Sequence, residues 1–130
     1  MAHKDIATDW FASIDASTLD KNASLMADNH QFFNPMTPGP ANKEEHLGLL
    51  KMMTTGLQGK HILDLVLSEG DHIAVKGRWV GTHAGEFNGI PATGNTVEFT
   101  WVDIMQIENG KIAREHMEMN PMTIMMQING

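Results

Sequence analysis

The chain contains no cysteine, which excludes a disulfide framework, a thiolate metal site and a cysteine nucleophile. No segment approaches the ~18 consecutive apolar residues of a membrane helix, and the opening Met1-Ala2-His3-Lys4-Asp5 lacks the apolar stretch of a secretory signal. A cytoplasmic location is the expectation. Basic residues are also few. With 9 of them against 16 acidic ones the net charge is -7, so phosphate backbones and anionic membrane surfaces repel the molecule, and neither nucleic acid nor membrane is expected as a partner. Gly-rich phosphate loops, a Gly-x-Ser-x-Gly elbow and Walker-type sequences are missing, which leaves nucleotide and serine-hydrolase readings without support. His46, His61, Asp64 and His72 lack metal-ligand spacing, so no metal site is expected.

What remains is enough for one domain, residues 1–130, held together by packing. Eleven methionines against five phenylalanines give a core or pocket lining that adapts in shape. Ile6, Trp10 and Ile14, with Phe11 beside Trp10, form the apolar stripe of a first helix. Leu19, Ala23 and Met26 predict a short second one. Asn34-Pro35 and Thr37-Pro38-Gly39-Pro40 form a loop, and Asn42 followed by Glu45 resembles a capping box opening a third helix from about Lys43 to Thr55. From His61 the period changes to that of strands: Ile62 to Leu67, Ile73 to Thr82, Thr96 to Ile107 and Lys111 to Met119, with a loop from Gly85 to Gly94. Helices followed by consecutive antiparallel strands argue an α+β fold.

Asn109-Gly110 between two strands is a strong hairpin signal, because a type I′ turn needs positive φ at both central residues. A two-residue turn also fixes the register. Glu108 then pairs with Lys111, Ile107 with Ile112, Met105 with Arg114, Asp103 with His116 and Trp101 with Glu118. One face gathers Phe99, Trp101, Asp103, His116, Glu118 and Asn120, a mixture of apolar and convergent polar groups that suits a pocket wall. A carboxylate beside an imidazole orients the ring and raises its basicity, which makes Asp103 and His116 the expected acid/base pair. The alternative is an ordinary surface ion pair. His83, at the end of a strand, is placed where it reaches a cavity mouth.

The order of elements and two stretches resemble the SnoaL-like polyketide cyclase family of the nuclear-transport-factor-2-like superfold. Gly81-Thr82-His83-Ala84-Gly85-Glu86-Phe87-Asn88-Gly89-Ile90-Pro91-Ala92-Thr93-Gly94, running on to Asp103, is similar to that family's GTHxGEFxGIPxTG segment and the strand after it. Asn109-Gly110-Lys111-Ile112 with Glu115-His116 is similar to its Gly-Lys-Ile hairpin, and Asn34-Pro35 falls where the family places a polar residue before proline. The resemblance implies a cone-shaped curved antiparallel sheet with N-terminal helices enclosing a pocket, a homodimer, and a cofactor-free ring closure driven by a pocket carboxylate acting as general acid/base.

The family's acidic residue after the hairpin falls on Asn120 when counted without gaps. Aligning instead on Glu115-His116 puts it on Pro121, a one-residue slip that exchanges the two faces unless a bulge absorbs it. Neither residue takes a proton, so the base is expected from Asp103 with His116, or from Glu118. Asn34, His83, Trp101, Glu118 and Asn120 are the expected contacts to a small hydrophobic or carbonyl-containing molecule. Two other readings stand beside an enzyme of the cyclase or isomerase kind: a non-catalytic binding protein for a hydrophobic metabolite, and a dimeric interaction module.

Overall fold

The computed structural model describes residues 2–130. In chain order the elements are α1 (His3–Asp15), α2 (Leu19–Leu25), β1 (Met26–Phe33), α3 (Lys43–Gly56), β2 (Leu57–Glu69), β3 (His72–His83), β4 (Thr96–Glu108), β5 (Lys111–Glu118) and α4 (Pro121–Asn129). The α+β class follows. The five strands form one sheet in the order β1-β5-β4-β3-β2.

Two elements differ from the sequence expectation. Residues from Met26 onward form a strand, and β1 runs parallel to β5, so the sheet is mixed rather than wholly antiparallel. Its Asp28, Asn29 and Gln31 hide the strand period. After Asn120 the chain turns into α4, where the Asn120 side chain accepts from the Met122 amide and Pro121 occupies the first turn. Gln127 fastens this helix to β4: Glu98 N donates to its Oε1 at 2.7 Å, and its Nε2 donates to Glu98 O at 2.8 Å.

The first and third helices follow the predicted pattern. Ile6, Trp10, Phe11 and Ile14 are buried against the sheet. At α3 the Asn42 side chain accepts from the Glu45 amide at 2.9 Å, while the Asn42 amide donates to Glu45 Oε1 at 3.0 Å. Such a box contributes about 1 kcal/mol and fixes where α3 begins. The core joins Trp10 and Ile14 to Ile73, Val75 and Trp79 of β3, Met105 of β4 and Ile112 of β5. Gly77 on β3 has no substitute, since an added Cβ would lie 2.6 Å from the Trp101 ring and 2.4 Å from Ile62 O. This close approach lets the indole lie across the strand.

The β4–β5 hairpin decides what enters the interior. Asn109 (φ 52°) and Gly110 (φ 77°) make the expected turn, and Glu108↔Lys111 and Ile107↔Ile112 pair as the turn length requires. Then the register shifts: Gln106 pairs with Arg114, leaving Ala113 as an extra residue in β5. Beyond this bulge every β5 side chain changes face. Asp103 lies opposite Met117, Met105 opposite Glu115, and Ile104 opposite His116.

Candidate functional site

A cavity of about 90 Å³ lies between the concave sheet face and helices α1, α3 and α4. Trp10, Phe11, Leu50, Met52, Met53, Phe99, Trp101, Met117, Met119 and Ile124 make its wall almost entirely apolar. Its ionisable lining groups are Asp103, Glu115, His46 and His61. Each is delivered by a different piece of local structure.

Asp103 alternates inward with Trp101 and Met105 on β4 and is 1% exposed. The Ala113 bulge turns Glu115 to the same side, diagonal to Asp103, where it is 2% exposed. The two carboxyls hydrogen-bond to each other. Burial pushes Asp103 up to about 7 against the smaller, opposing effect of its hydrogen bond to Glu115. Burial, then the charge of Asp103 and the hydrogen bond to it, hold Glu115 well above the usual carboxylate range. Two carboxylates this close do not both ionise in an apolar enclosure, so the pair keeps at least one proton at neutral pH. Asp103 Oδ1 and Glu115 Oε1 have no hydrogen-bond partner, nor does the buried indole Nε1 of Trp101. Three polar atoms without partners around one apolar cavity are unusual in a folded protein.

Behind Glu115 stand two buried histidines. His30 projects inward from β1 and His46 from α3. His30 Nδ1 donates to the Ile112 carbonyl at 2.8 Å, and His30 Nε2 lies 2.8 Å from His46 Nδ1. Phe32 stacks on His46 at 3.6 Å between ring centroids, and Trp10 flanks it at 5.3 Å. Burial lowers the pKa of His30, and burial followed by the proximity of His30 lowers that of His46 well below 6.5. Both rings are therefore neutral. His30, His46 and Glu115 bring ligand-type atoms within 4.8 Å of one another. The facing nitrogens nevertheless share a proton at 2.8 Å, whereas two nitrogens on a tetrahedral zinc lie about 3.3 Å apart. The two histidines as folded fit a hydrogen-bonded pair better than a pair of metal ligands. His61, on β2, is held by Asp15: its amide donates to Oδ2 at 2.8 Å and its Nδ1 lies 2.6 Å from Oδ1.

The structure brings Asp103 and Trp101 to the cavity and separates the other expected residues from it. His116 does not meet Asp103, because the bulge sends it to the outer face, where it is exposed and stacks on Phe33 at 4.3 Å. Glu118 is exposed for the same reason. Asn120 caps α4. Asn34 closes its loop, accepting from the Met36 amide and donating to Phe32 O and Thr37 Oγ1. His83 is wholly buried, with Nδ1 2.9 Å from Thr93 Oγ1. It braces the loop before β4 rather than lining the cavity. Glu115, His46 and His61 line the cavity and His30 stands behind it, none of them expected there from the sequence. The one signal for Glu115 was the alternative alignment on Glu115-His116, which required the bulge now seen at Ala113.

A small α+β domain whose curved sheet and helices enclose one apolar pocket with paired carboxyls defines the class of protein. The sequence model of the SnoaL-like polyketide cyclase family matches residues 4–128, and the chain belongs to this family. Among solved structures it is similar to IdmH of Streptomyces antibioticus, described as a candidate polyketide cyclase, with TM-score 0.87, 21% identity and full coverage of both chains. It is also similar to AclR of Streptomyces galilaeus, described as a candidate hydroxylase (TM-score 0.88, 16% identity, 98% of this chain and 95% of that one). A SnoaL-like polyketide cyclase candidate from Jannaschia sp. CCS1 gives TM-score 0.88 at 17% identity over 98% and 92% of the two chains. At such identities the likeness is one of fold. Comparison with curated protein sequences gives no match. Among the described residues no helix is long and apolar enough to cross a membrane.

Proposed function

We propose that the protein catalyses cofactor-free proton transfer on a small carbonyl compound, as a cyclase or isomerase, with Asp103 and Glu115 as its acid/base pair. The observation that carries this reading is two neighbouring, fully buried carboxyls at the wall of an apolar cavity, where burial raises the pKa of each. The ionised carboxylate takes a proton from the carbon next to the carbonyl, and the C–H electron pair moves onto the carbonyl oxygen. That oxygen is then stabilised by a hydrogen bond from the proton kept by the second carboxyl. In an isomerase the enolate is reprotonated at another carbon; in a cyclase it attacks a second carbonyl, whose oxygen takes up the proton. A carboxylate near pKa 7 is a far better base than an exposed one near 4, and the apolar walls supply that increase.

The cavity is smaller than the ~300–1,000 Å³ usual for ligand pockets, which favours a one-ring or short-chain substrate. Cyclohexanone in D2O is a suitable probe. The protein is expected to accelerate exchange of its α-protons above the buffer rate, as followed by proton NMR. Cyclohexanone that binds without faster exchange, or fails to bind, counts against the reading.

The outer sheet face supports the homodimer. Leu65, Leu67, Val102 and Ile104 are 44–55% exposed, and the register Leu67↔Ala74↔Ile104 with Leu65↔Lys76↔Val102 makes them one patch across three strands. Burying such a patch against a second copy removes it from water. Light scattering is expected to give twice the 14.4 kDa chain mass, and Leu67→Glu with Ile104→Glu to give the monomer. A wild-type monomer at working concentration would refute the dimer.

A further inference from the structure

The hydrogen-bond chain behind the cavity has only one consistent direction. The Ile112 carbonyl has no hydrogen to give, so His30 Nδ1 carries the proton of that bond. A neutral His30 then has a bare Nε2, which accepts from His46 Nδ1. With its single proton on Nδ1, His46 has a bare Nε2 as well. His46 is part of the cavity wall, and with Nδ1 committed to His30, Nε2 is the ring nitrogen left for a ligand. The stack on Phe32, 3.6 Å away and 3° from parallel, and the Trp10 ring beside it hold the imidazole plane.

We infer that His46 Nε2 is a fixed hydrogen-bond acceptor of the cavity, and that the ligand carries a hydroxyl donor in addition to its carbonyl group. The inference deepens the carbonyl-chemistry reading and rests on it for the carbonyl half. A hydroxyl brought into the apolar cavity without an acceptor would lose its hydrogen bonds to water, whereas Nε2 replaces one of them. Ligands with an ether or methyl in that place leave the nitrogen unsatisfied and are rejected. His30 touches no ligand. It is a positioning residue, anchored on β5 through Ile112, and its role is to decide which nitrogen of His46 bears the proton.

Long-range proton–nitrogen NMR of ¹⁵N-histidine-labelled protein tests this in two stages. In the free protein His30 and His46 are both expected as the Nδ1–H form, the less populated tautomer of free histidine. A proton on His46 Nε2 would overturn the inference. Phenol and toluene, which exchange a hydroxyl for a methyl at nearly constant shape, are then titrated in. Phenol is expected to shift the His46 Nε2 resonance and toluene to leave it in place. Phenol that binds without moving that resonance, or does not bind, would overturn the inference too. His46→Phe is expected to lower the preference for phenol over toluene about tenfold, and the tautomer measurement stands if that variant does not fold. The Asp103→Asn protein should give the same His46 response, so loss of the carboxyl chemistry and loss of the acceptor are told apart.

Discussion

Asp103→Asn is expected to slow α-proton exchange of a bound ketone by about 10²–10⁴-fold, the usual contribution of a positioned general base. The amide has nearly the same shape as the carboxyl it replaces and cannot take a proton. Affinity for the ketone should change little, because the apolar walls that hold it are untouched. A fall in kcat with KM roughly constant is therefore the signature. In the wild type the rate should rise as the pH passes about 7, where Asp103 ionises, and fall again once Glu115, held well above the usual range, loses its proton. Wild-type activity in Asp103→Asn would remove Asp103 from the mechanism, whereas loss only in Glu115→Gln would reassign the base.

The same substitution should make the protein relatively more stable at alkaline pH. Asp103 is raised from 3.8 in the unfolded chain to about 7 in the fold, so the fold favours its neutral form. For an acid shifted upward, that stability is fully present below pH 3.8 and is lost as the pH rises towards 7. Asparagine does not titrate and loses nothing over this interval. The stability of Asp103→Asn relative to wild type is expected to improve by a few kcal/mol between pH 4 and pH 8, with ~4 kcal/mol as a ceiling at 1.36 kcal/mol per pKa unit. The comparison has to be made between the two proteins. His30 and His46, lowered by burial, resist charging, so in both proteins they weaken the fold as the pH falls below 6.5. Urea unfolding at the two pH values checks the prediction, and a constant difference would contradict it.

Activity and stability thus pull against each other at one residue. Burying two carboxyls costs folding free energy that an apolar pair would not, and three polar atoms there have no partner. Sites that depart from the rules of core packing in this way are where function is concentrated.

The sequence carried the parts of the fold that local chemistry determines. The four-residue spacing of Ile6, Trp10 and Ile14 predicts α1, the Asn42 and Glu45 pair predicts the start of α3, and Asn109-Gly110 predicts the hairpin and its first two residue pairs. Elements decided by distant partners were less legible. β1 is a strand because it adds to the edge of β5, not because Met26–Phe33 alternates. α4 is a helix because Ile124 and Ile128 pack into the core beside β4, with Ile124 also lining the cavity.

The site was half legible for the same reason. Asp103 and Trp101 lie before the bulge in chain order, and their inward direction follows from the strand period alone. Glu115 and His116 lie beyond Ala113, where one extra residue exchanges the faces, so the His116 imidazole expected inside is outside and its neighbour Glu115 is inside. Ala113 has no feature that marks it as a bulge residue. His30 and His46 are separated by 16 residues and by a proline-rich loop. Only the docking of α3 over β1 brings them together.

The most direct test of the account is carboxyl carbon-13 NMR of the unliganded protein, following Asp103 and Glu115 as the pH is raised from 3 to 10. Neither side chain is expected to ionise near 4; the pair should lose its first proton at about pH 7 and hold the second to a distinctly higher pH. Two carboxyls that both titrate near 4 would mean that no proton is shared, and the assignment of Asp103 and Glu115 as an acid/base pair would fall.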